Sequence, residues 1–402
     1  MSKVYLVNAK RSAIGKMLGT LKDVPATEVG AQVLKAVLEG AKVDPAWLDE
    51  VIVGNVLGAG LKQGPGRQVS ILAGVPQEVT GHSLNMVCGS GMKAVMNAAN
   101  AIAAGKANLI AAGGTESMSG APYLVSAKTR SGNKMGDMRL VDHMLTDALT
   151  DAYGDIHMGI TAENVAEKYG ITREMQDEFA VNSQKKAAAA RDGGKFKDEI
   201  IPLTVKKGRK EVIFDTDEYI KGETTLEELQ GLRSAFKKDG TVTAGNCSGI
   251  NDGASFMILA SEEAVKEHNL PVMAEVAGWG QGGVDPNFMG LGPVPAIRAA
   301  LKDAGLKLAD MDLLELNEAF AAQSLGVVKL LAEEHGVPME DLLARCNVNG
   351  GAIALGHPVG CSGNRILVTL IHEMKKRGSE YGVASLCIGG GMGTAVILKN
   401  VK

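Results

Sequence analysis

The sequence predicts a layered α/β protein made of two similar halves, with a large insertion in the first half. Glycine is abundant, at 51 residues, and aromatic residues make up only 4%, so the core must rely on aliphatic side chains and close backbone approaches. A pattern of helices and strands occurs twice in the same order, and the segment between its copies is more polar. These features are typical of sheets flanked by helices.

The first copy of the pattern begins with an amphipathic segment after Pro25. That segment leads to a short apolar stretch that ends on Asn55, and this order predicts a helix followed by a strand. Further on, a glycine-rich turn precedes residues 92–104, which are rich in Ala, Met and Lys and therefore favour a helix. An apolar strand is then predicted over residues 109–112, ahead of a pair of glycines.

The second copy repeats these elements. An amphipathic segment after Pro295 leads to an apolar stretch that ends on Asn317, and a glycine-rich turn at Ser362 again precedes a helix. The last apolar strand is predicted over residues 383–388, ahead of three glycines. Repeated units of this kind predict two halves, each with a sheet flanked by helices.

The insertion runs from about residue 118 to about residue 246. It contains polar, charged segments and a stretch of helical spacing over residues 163–190. Insertions of this size on an α/β scaffold often carry substrate contacts, although a solvated decoration or an oligomer contact is the alternative. The predicted domains are 1–117 with 247–275 for the first half, 118–246 for the insertion, and 276–402 for the second half.

Composition excludes several classes of protein. A chain of 402 residues that is 45% hydrophobic can bury a sizeable core. Its net charge of −4 provides no basic surface for nucleic acid. No apolar run approaches the ~20 residues that a membrane-spanning helix needs. The N-terminal residues are typical of a strand and not of a signal peptide, so we expect a cytoplasmic protein.

The cysteines indicate free thiols. There are five, at positions 88, 247, 346, 361 and 387, with no C-x-x-C pair. This pattern favours a reducing compartment over a disulfide framework, and it predicts no metal site.

Cys88 is the first candidate for chemistry, because it lies where a strand ends and a helix begins. At a helix N-terminus the helix dipole and unpaired N–H groups favour the reactive thiolate over the thiol, whose ordinary pKa is about 8.5. The glycine after it leaves room for a substrate. A small buried hydrophobic residue is the alternative interpretation of a single cysteine.

Two clusters of residues in the second half favour a catalytic role for Cys88 over the packing interpretation. His357 lies among glycines and before a proline, so it is held on a rigid turn, and its imidazole can titrate near neutral pH. Cys387 ends an apolar strand and precedes glycines whose N–H groups can bind an oxyanion. Pairing with a histidine raises the thiolate content of a cysteine, so the set predicts a nucleophile and its base.

These segments, together with residues 157–164 and 317–320, closely resemble the thiolases, and most closely their biosynthetic acetyl-CoA acetyltransferase branch. The resemblance runs from the first strand to the last. It implies a five-layered α/β/α/β/α thiolase fold with a loop domain inserted in the N-terminal half. It also implies the reversible condensation of two acetyl-CoA molecules to acetoacetyl-CoA and CoA, with these thioesters as substrates and no other cofactor. A homodimer or homotetramer is implied, with residues 123–142 as a candidate contact.

The resemblance implies a role for each catalytic residue. Cys88 would accept the acetyl group, and His357 would activate it. Cys387 would remove the α-proton of the second acetyl-CoA. His357, with a water held by Asn317, would stabilise the oxyanion of that second substrate, while the amides of Cys88 and Gly389 would form the other oxyanion hole.

The resemblance also implies the residues that bind substrate. From the sequence alone, Met158, Met289 and Phe320 are typical of core packing, and Lys221 is typical of a solvated surface. The implied contacts are Ala244 and Ser248 with the pantetheine arm, Lys221 with the nucleotide end, and His157, Met158, Met289 and Phe320 with the acyl end.

Cys247 and Cys361 stand where biosynthetic relatives often carry alanine. Each is interpreted as a small packing residue. Cys361 lies four residues after His357, and its alternative role is to make the site sensitive to oxidation.

Other functions remain open at this point. A degradative 3-ketoacyl-CoA thiolase that takes longer chains is the nearest alternative. A ketoacyl synthase fits less well, because Cys387 stands where those enzymes have a histidine or asparagine, and a catalytically silent acyl-CoA carrier would not need the catalytic set. A dinucleotide-dependent oxidoreductase is suggested by a G-x-G-x-x-A pattern at Gly89–Ala94, with Glu116 at roughly 20 residues beyond it.

Overall fold

A computed structural model describes residues 3–401 of the chain and shows a mixed α/β architecture. The strands are β1 (Val4–Ser12), β2 (Gly15–Lys16), β3 (Glu50–Gly54), β4 (Thr80–Leu84), β5 (Leu109–Ser117), β6 (Tyr123–Val125), β7 (Leu140–Asp142), β8 (Ile200–Ile201), β9 (Leu203–Lys207), β10 (Lys210–Phe214), β11 (Asn251–Ser261), β12 (Ala274–Gly283), β13 (Leu313–Leu316), β14 (Tyr381–Ile388) and β15 (Met392–Asn400). The α-helices are α1 (Ala26–Ala41), α2 (Pro65–Leu72), α3 (Ser90–Ala103), α4 (Met158–Tyr169), α5 (Arg173–Asp192), α6 (Leu226–Gln230), α7 (Glu262–Glu267), α8 (Pro293–Ala304), α9 (Ala321–His335), α10 (Met339–Arg345), α11 (Ala352–Leu355) and α12 (Val359–Arg377).

The main sheet confirms the predicted duplication. Its strand order is β13-β14-β15-β12-β1-β11-β5-β3-β4. In each half a short strand, β3 or β13, pairs in parallel with the next long strand, β5 or β14, and two antiparallel pairings follow. The strands of the two halves are joined where Tyr5 of β1 pairs with Glu275 of β12, and Leu6 with Ala274. Each half therefore has its own sheet with the same topology.

Three hydrophobic clusters define the helical layers. One packs α1 and α2 against the outer face of the first sheet, and a second packs α8 and α9 against the outer face of the second. The third lies between the sheets, where α3 and α12 pack together and bury aliphatic residues from both halves. The predicted five-layered α/β/α/β/α arrangement is confirmed.

Strand β5 is longer than its predicted extent of 109–112, because it continues through Gly113 and Gly114. The sequence interpretation took these glycines as the end of the strand. A side chain at Gly113 would meet Phe256 of β11, and one at Gly114 would meet the carbonyl oxygen of Gly360. Here glycine permits close packing inside a strand and does not mark a turn.

The insertion connects β5 to β11, whereas in the second half β14 and β15 are joined by a tight glycine turn. Strand β8 pairs with β1, and the buried Arg11 forms ion pairs with Glu199 (2.6 Å) and Asp217 (2.8 Å) of the inserted segment. These contacts hold the insertion against the first sheet.

The domain boundaries remain a prediction. Within residues 3–401, no helix is long and apolar enough to cross a bilayer.

Candidate active site

Cys88 lies in a tight turn that begins α3. The Gly89 N–H donates to the Met86 carbonyl at 3.0 Å, and the Ser90 hydroxyl accepts from the Met86 N–H at 2.8 Å and donates to the Val87 carbonyl at 2.7 Å. Val87 has a φ of 47°, a left-handed conformation that is strained for a β-branched residue. The turn thus places Cys88 just ahead of the helix, as the sequence predicts.

His357 lies on the turn between α11 and α12. Its backbone N–H donates to Asn251 Oδ1 at 3.0 Å, and Asn251 Nδ2 donates to the Gly15 carbonyl at 3.0 Å. Gly356 has a φ of 105°, and a side chain there would meet Asn251. The glycine before His357 is therefore required by both conformation and space.

Glycine contacts bring the beginnings of α3 and α12 together. A Cβ atom at Gly91 would lie 2.9 Å from both the Asn364 nitrogen and the Gly360 oxygen. A Cβ atom at Gly114 of β5 would lie still closer to the same Gly360 oxygen. Because Cys88 precedes α3 and His357 precedes α12, this packing fixes the nucleophile candidate relative to the histidine.

The end of β14 contributes the third side chain. Cys387 is buried, with 1% of its surface exposed, and a side chain at Gly89 would meet its neighbour Ile388. After the strand, the Gly389 N–H lies beside the Cys88 sulfur and, with the N–H of Cys88 itself, acts to lower the pKa of that thiol. Two strand ends from different halves therefore meet at one thiol.

These groups surround a cavity of about 370 Å³. Among residues 3–401, no cluster of three or more His, Cys, Asp or Glu side chains could hold a metal ion. Of the residues predicted for the site, Cys88, His157, Met158, Ala244, Ser248, Met289, Phe320, His357 and Cys387 line the cavity.

Three predicted residues lie outside the cavity lining. Gly389 places its backbone N–H beside the Cys88 sulfur, as described above. Asn317 follows β13, where its N–H donates to the Ser385 carbonyl at 3.0 Å, and its buried side-chain amide has no hydrogen-bond partner among the described residues. Lys221 is exposed, and its Nζ lies 5.4 Å from the ring centre of Tyr219, which does line the cavity.

Sequence reasoning missed the aromatic side chains from the insertion. The Phe236 ring stacks on His157 at 4.6 Å and meets Phe320 edge-on at 6.2 Å. A side chain at Gly159 would meet Phe236, and one at Gly249 would meet Tyr219. The sequence features that could have revealed these aromatic residues are Gly159 and Gly249, each of which follows a predicted site residue. Other lining residues that were not predicted are Met17, Met118, Leu145, Ala148, Leu149, Cys247, Ile250, Ala319 and Val359.

Comparison with known proteins identifies the family. The sequence profile of the thiolase N-terminal domain matches residues 4–263, and that of the thiolase C-terminal domain matches residues 270–400. The chain belongs to the thiolase family. Thiolase relatives named acetyl-CoA acetyltransferase, from Cupriavidus necator and Escherichia coli (strain K12), are each 52% identical to it. The alignments cover 99% and 100% of this chain, respectively, and 100% of each relative.

Solved thiolase structures agree with this assignment. The acetyl-CoA acetyltransferase of Bacillus anthracis superposes with a TM-score of 0.95 at 44% identity, over 100% of this chain and 99% of that one. Human mitochondrial 3-ketoacyl-CoA thiolase in complex with CoA superposes with a TM-score of 0.94 at 46% identity, over 100% of this chain and 98% of that one. The fold alone therefore does not separate these two named activities.

The resting state of Cys88 in this thiolase differs from the thiolate expected from its place at a helix N-terminus. Burial raises the pKa of the Cys88 thiol to about 11, although the N–H groups of Gly389 and Cys88 oppose the rise. At pH 7 a thiol with such a pKa is ionised in only about one molecule in 10⁴. Desolvation therefore outweighs the effect of the helix terminus on the pKa of this thiol.

His357 is a neutral imidazole at pH 7. Burial, with a smaller contribution from the charge of Arg365, lowers its pKa to about 4. Its Nδ1 lies 2.6 Å from Ser362 Oγ, whose own proton is donated to the Pro358 carbonyl at 3.0 Å. In this arrangement Ser362 Oγ accepts from Nδ1, which then carries the ring proton. Nε2 keeps its lone pair and is the basic atom.

The dinucleotide interpretation is wrong, because Glu116 cannot reach a ribose. Its carboxylate is fully buried at the end of β5 and accepts from Asn55 Nδ2, Val56 N–H and Leu57 N–H, each at 3.0 Å, and from Gly360 N–H at 2.9 Å. Burial raises its pKa to about 7, and the Leu57, Val56 and Gly360 N–H groups oppose that rise. Four donors already occupy its two oxygens.

The two unassigned cysteines have different positions. Cys247 lines the cavity beside Tyr219, and burial raises the pKa of its thiol to about 11. Cys361 is fully buried outside the cavity lining, with its sulfur 3.3 Å from Ser255 Oγ, and burial raises the pKa of its thiol to about 12. Both stay protonated at neutral pH.

Proposed function

We propose that this protein is an acetyl-CoA C-acetyltransferase. It would catalyse the reversible condensation of two acetyl-CoA molecules to acetoacetyl-CoA and CoA through an acetyl group on Cys88. The observation that carries the proposal is the meeting of Cys88, His357 and Cys387 around one cavity in a member of the thiolase family. The full-length relatives with 52% identity bear the same name.

In the first half-reaction, Cys88 attacks the thioester carbonyl of acetyl-CoA. Its proton passes to Nε2 of His357, which is unprotonated at rest because of the bond between Nδ1 and Ser362. The N–H groups of Cys88 and Gly389, which face the sulfur, then bind the oxyanion of the tetrahedral intermediate. The CoA thiolate leaves and takes the proton from Nε2 of His357, and the acetyl group stays on Cys88.

In the second half-reaction, Cys387 removes an α-proton from the second acetyl-CoA. Burial, together with the nearby Cys88 thiol, raises the pKa of Cys387, so its thiolate is a strong base once it forms. His357 and a water held by the partnerless amide of Asn317 would stabilise the enolate. The enolate carbon then attacks the acetyl group on Cys88, which releases acetoacetyl-CoA. The Cys88 thiolate that leaves takes up the proton held by Cys387, and the cycle closes.

The proposal requires no metal or redox cofactor, because both steps are acid–base and acyl-transfer chemistry. CoA thioesters are its substrates and products.

We also propose a homodimer or homotetramer. The segment with β6 and β7 supports a protein contact, because it exposes Tyr123 (64%), Met135 (93%) and Leu140 (61%).

A preference for short chains separates this function from a degradative thiolase. The acyl end of the cavity is bounded by Met158, Met289, Phe236 and Phe320. We expect kcat/KM for thiolysis of acetoacetyl-CoA to exceed that for 3-ketodecanoyl-CoA by at least about tenfold, since the longer chain must displace these side chains. Equal or greater activity on the longer substrate would assign the degradative function instead.

The proposed nucleotide contact of Lys221 is tested by replacing it with alanine. An exposed lysine–phosphate pair contributes little, so we expect the Kd for CoA to rise roughly two- to fivefold with kcat unchanged. Calorimetry with CoA would measure the change. S-acetylpantetheine, which lacks the nucleotide, should react equally well with both proteins. Lys35→Ala, on the outer helix α1, is the matched control, and an equal effect there would remove Lys221 from the site.

A further inference from the structure

We infer that Glu116 is a positioning residue for the proposed reaction, because its carboxylate holds the turn that carries His357 against the wall of the Cys88 site. The inference rests on the proposed function. Glu116 has no exposed surface and does not line the cavity, so it acts only through the groups that it binds.

The carboxylate joins two segments that are distant in the sequence. Its Oε1 accepts from Asn55 Nδ2 and Leu57 N–H, and its Oε2 accepts from Val56 N–H and Gly360 N–H. Only an ionised carboxylate offers four acceptor sites and no donor. Glutamine in its place would turn an NH₂ group towards two of these N–H groups.

The contact with Gly360 connects Glu116 to His357. Gly360 is the second residue of α12 and lies three residues after His357, so its N–H is one of the free donors at the helix N-terminus. A Cβ atom at Gly360 would lie 2.6 Å from Glu116 Oε2. Glycine therefore lets the carboxylate approach the helix, and the bond fixes where the His357 turn begins.

The contacts with Val56 and Leu57 connect Glu116 to Cys88. These two side chains and Val359 belong to an apolar cluster that packs against Cys88. The Glu116 charge itself faces the Cys88 and Cys361 thiols and the Asp252 carboxyl. A negative charge beside a thiol opposes formation of the thiolate, so the benefit of Glu116 must come from position.

Because the two halves are similar, Glu116 has a structurally equivalent residue in the second half. In the first sheet Gly54 pairs with Gly114, and in the second sheet Leu316 pairs with Ser385. Two residues beyond the second member of each pair are Glu116 and Cys387, which therefore occupy equivalent positions. Cys387 reaches from the second half to Cys88 at the start of α3, and Glu116 reaches from the first half to Gly360 at the start of α12.

Glu116→Gln tests the inference, with thiolysis of acetoacetyl-CoA and alkylation of Cys88 by iodoacetamide at pH 7 as readouts. Because small displacements of catalytic groups are costly, we expect kcat and the alkylation rate each to fall roughly 10- to 100-fold, with KM changed less than about twofold. Glu116→Asp, which restores the acceptors on a shorter side chain, should recover part of both losses.

Glu199→Gln is the matched control, since Glu199 is an equally buried carboxylate that binds Arg11 at 2.6 Å and does not touch the start of α12. Thermal unfolding of both variants separates lost stability from lost positioning. Near-normal kcat and alkylation in Glu116→Gln, or equal losses in Glu199→Gln, would overturn the inference. If the wild-type protein does not cleave acetoacetyl-CoA, the proposed function fails, while alkylation still tests Glu116.

Discussion

Replacing Cys88 with alanine is expected to abolish acetyl transfer. The reaction is proposed to pass through a thioester on this sulfur. Cys247 and Cys387 also line the cavity, but the Gly389 N–H lowers the pKa of Cys88 and not of either of these thiols. Loss of a nucleophile of this kind typically costs at least about 10⁴-fold in kcat. Acetoacetyl-CoA thiolysis, monitored by loss of the substrate, and mass spectrometry of the protein after incubation with acetyl-CoA would measure both consequences.

Cys346→Ala is the matched control for this experiment. Cys346 is a buried thiol that lies outside the cavity, so its loss should cost some stability and leave kcat within about twofold. Cys88→Ala should keep the folded state, because the turn around it is held by backbone and Ser90 hydrogen bonds. Residual acetylation of folded Cys88→Ala protein would refute the proposed intermediate.

The placement of Cys88, His357 and Cys387 could be predicted, because their position depends on local sequence. Strand ends, glycine turns and helix-favouring residues are visible in a short window, and the duplication showed that two such places occur at equivalent points. The meeting of the halves follows from the stacking of two similar sheets around α3 and α12. In the structure Cys88, His357 and Cys387 line one cavity, and their catalytic roles remain proposals.

The parts that could not be predicted depend on contacts between distant segments. Phe236 and Tyr219 come from irregular stretches of the insertion, whose path no periodic pattern describes. The pKa of Cys88 depends on how completely these and other residues exclude water, and a helix N-terminus in the sequence carries no information about that burial. Glu116 was noticed only through its spacing from a glycine motif, which pointed to a cofactor and not to the start of α12.

Replacing Cys387 with alanine is expected to separate the two half-reactions. Acetyl-enzyme formation needs Cys88, His357 and the Gly389 N–H, and it should continue at a rate within about tenfold of normal. Condensation and thiolysis need a base at the α-carbon, and loss of a general base typically costs about 10²- to 10⁴-fold. Radiolabelled acetyl-CoA would measure the first step, and acetoacetyl-CoA turnover the whole reaction.

Cys387→Ser sharpens this test, because it nearly keeps the shape of the side chain and replaces the thiol with a far weaker acid. A buried hydroxyl cannot exist as its conjugate base near neutral pH, so the variant should resemble Cys387→Ala in turnover and retain acetylation. Deuterium uptake from D₂O into the methyl group of acetyl-CoA reports α-proton removal directly and should disappear in both variants. If both variants lose acetylation as well, Cys387 must instead help to activate Cys88, a role that its burial beside that thiol also permits.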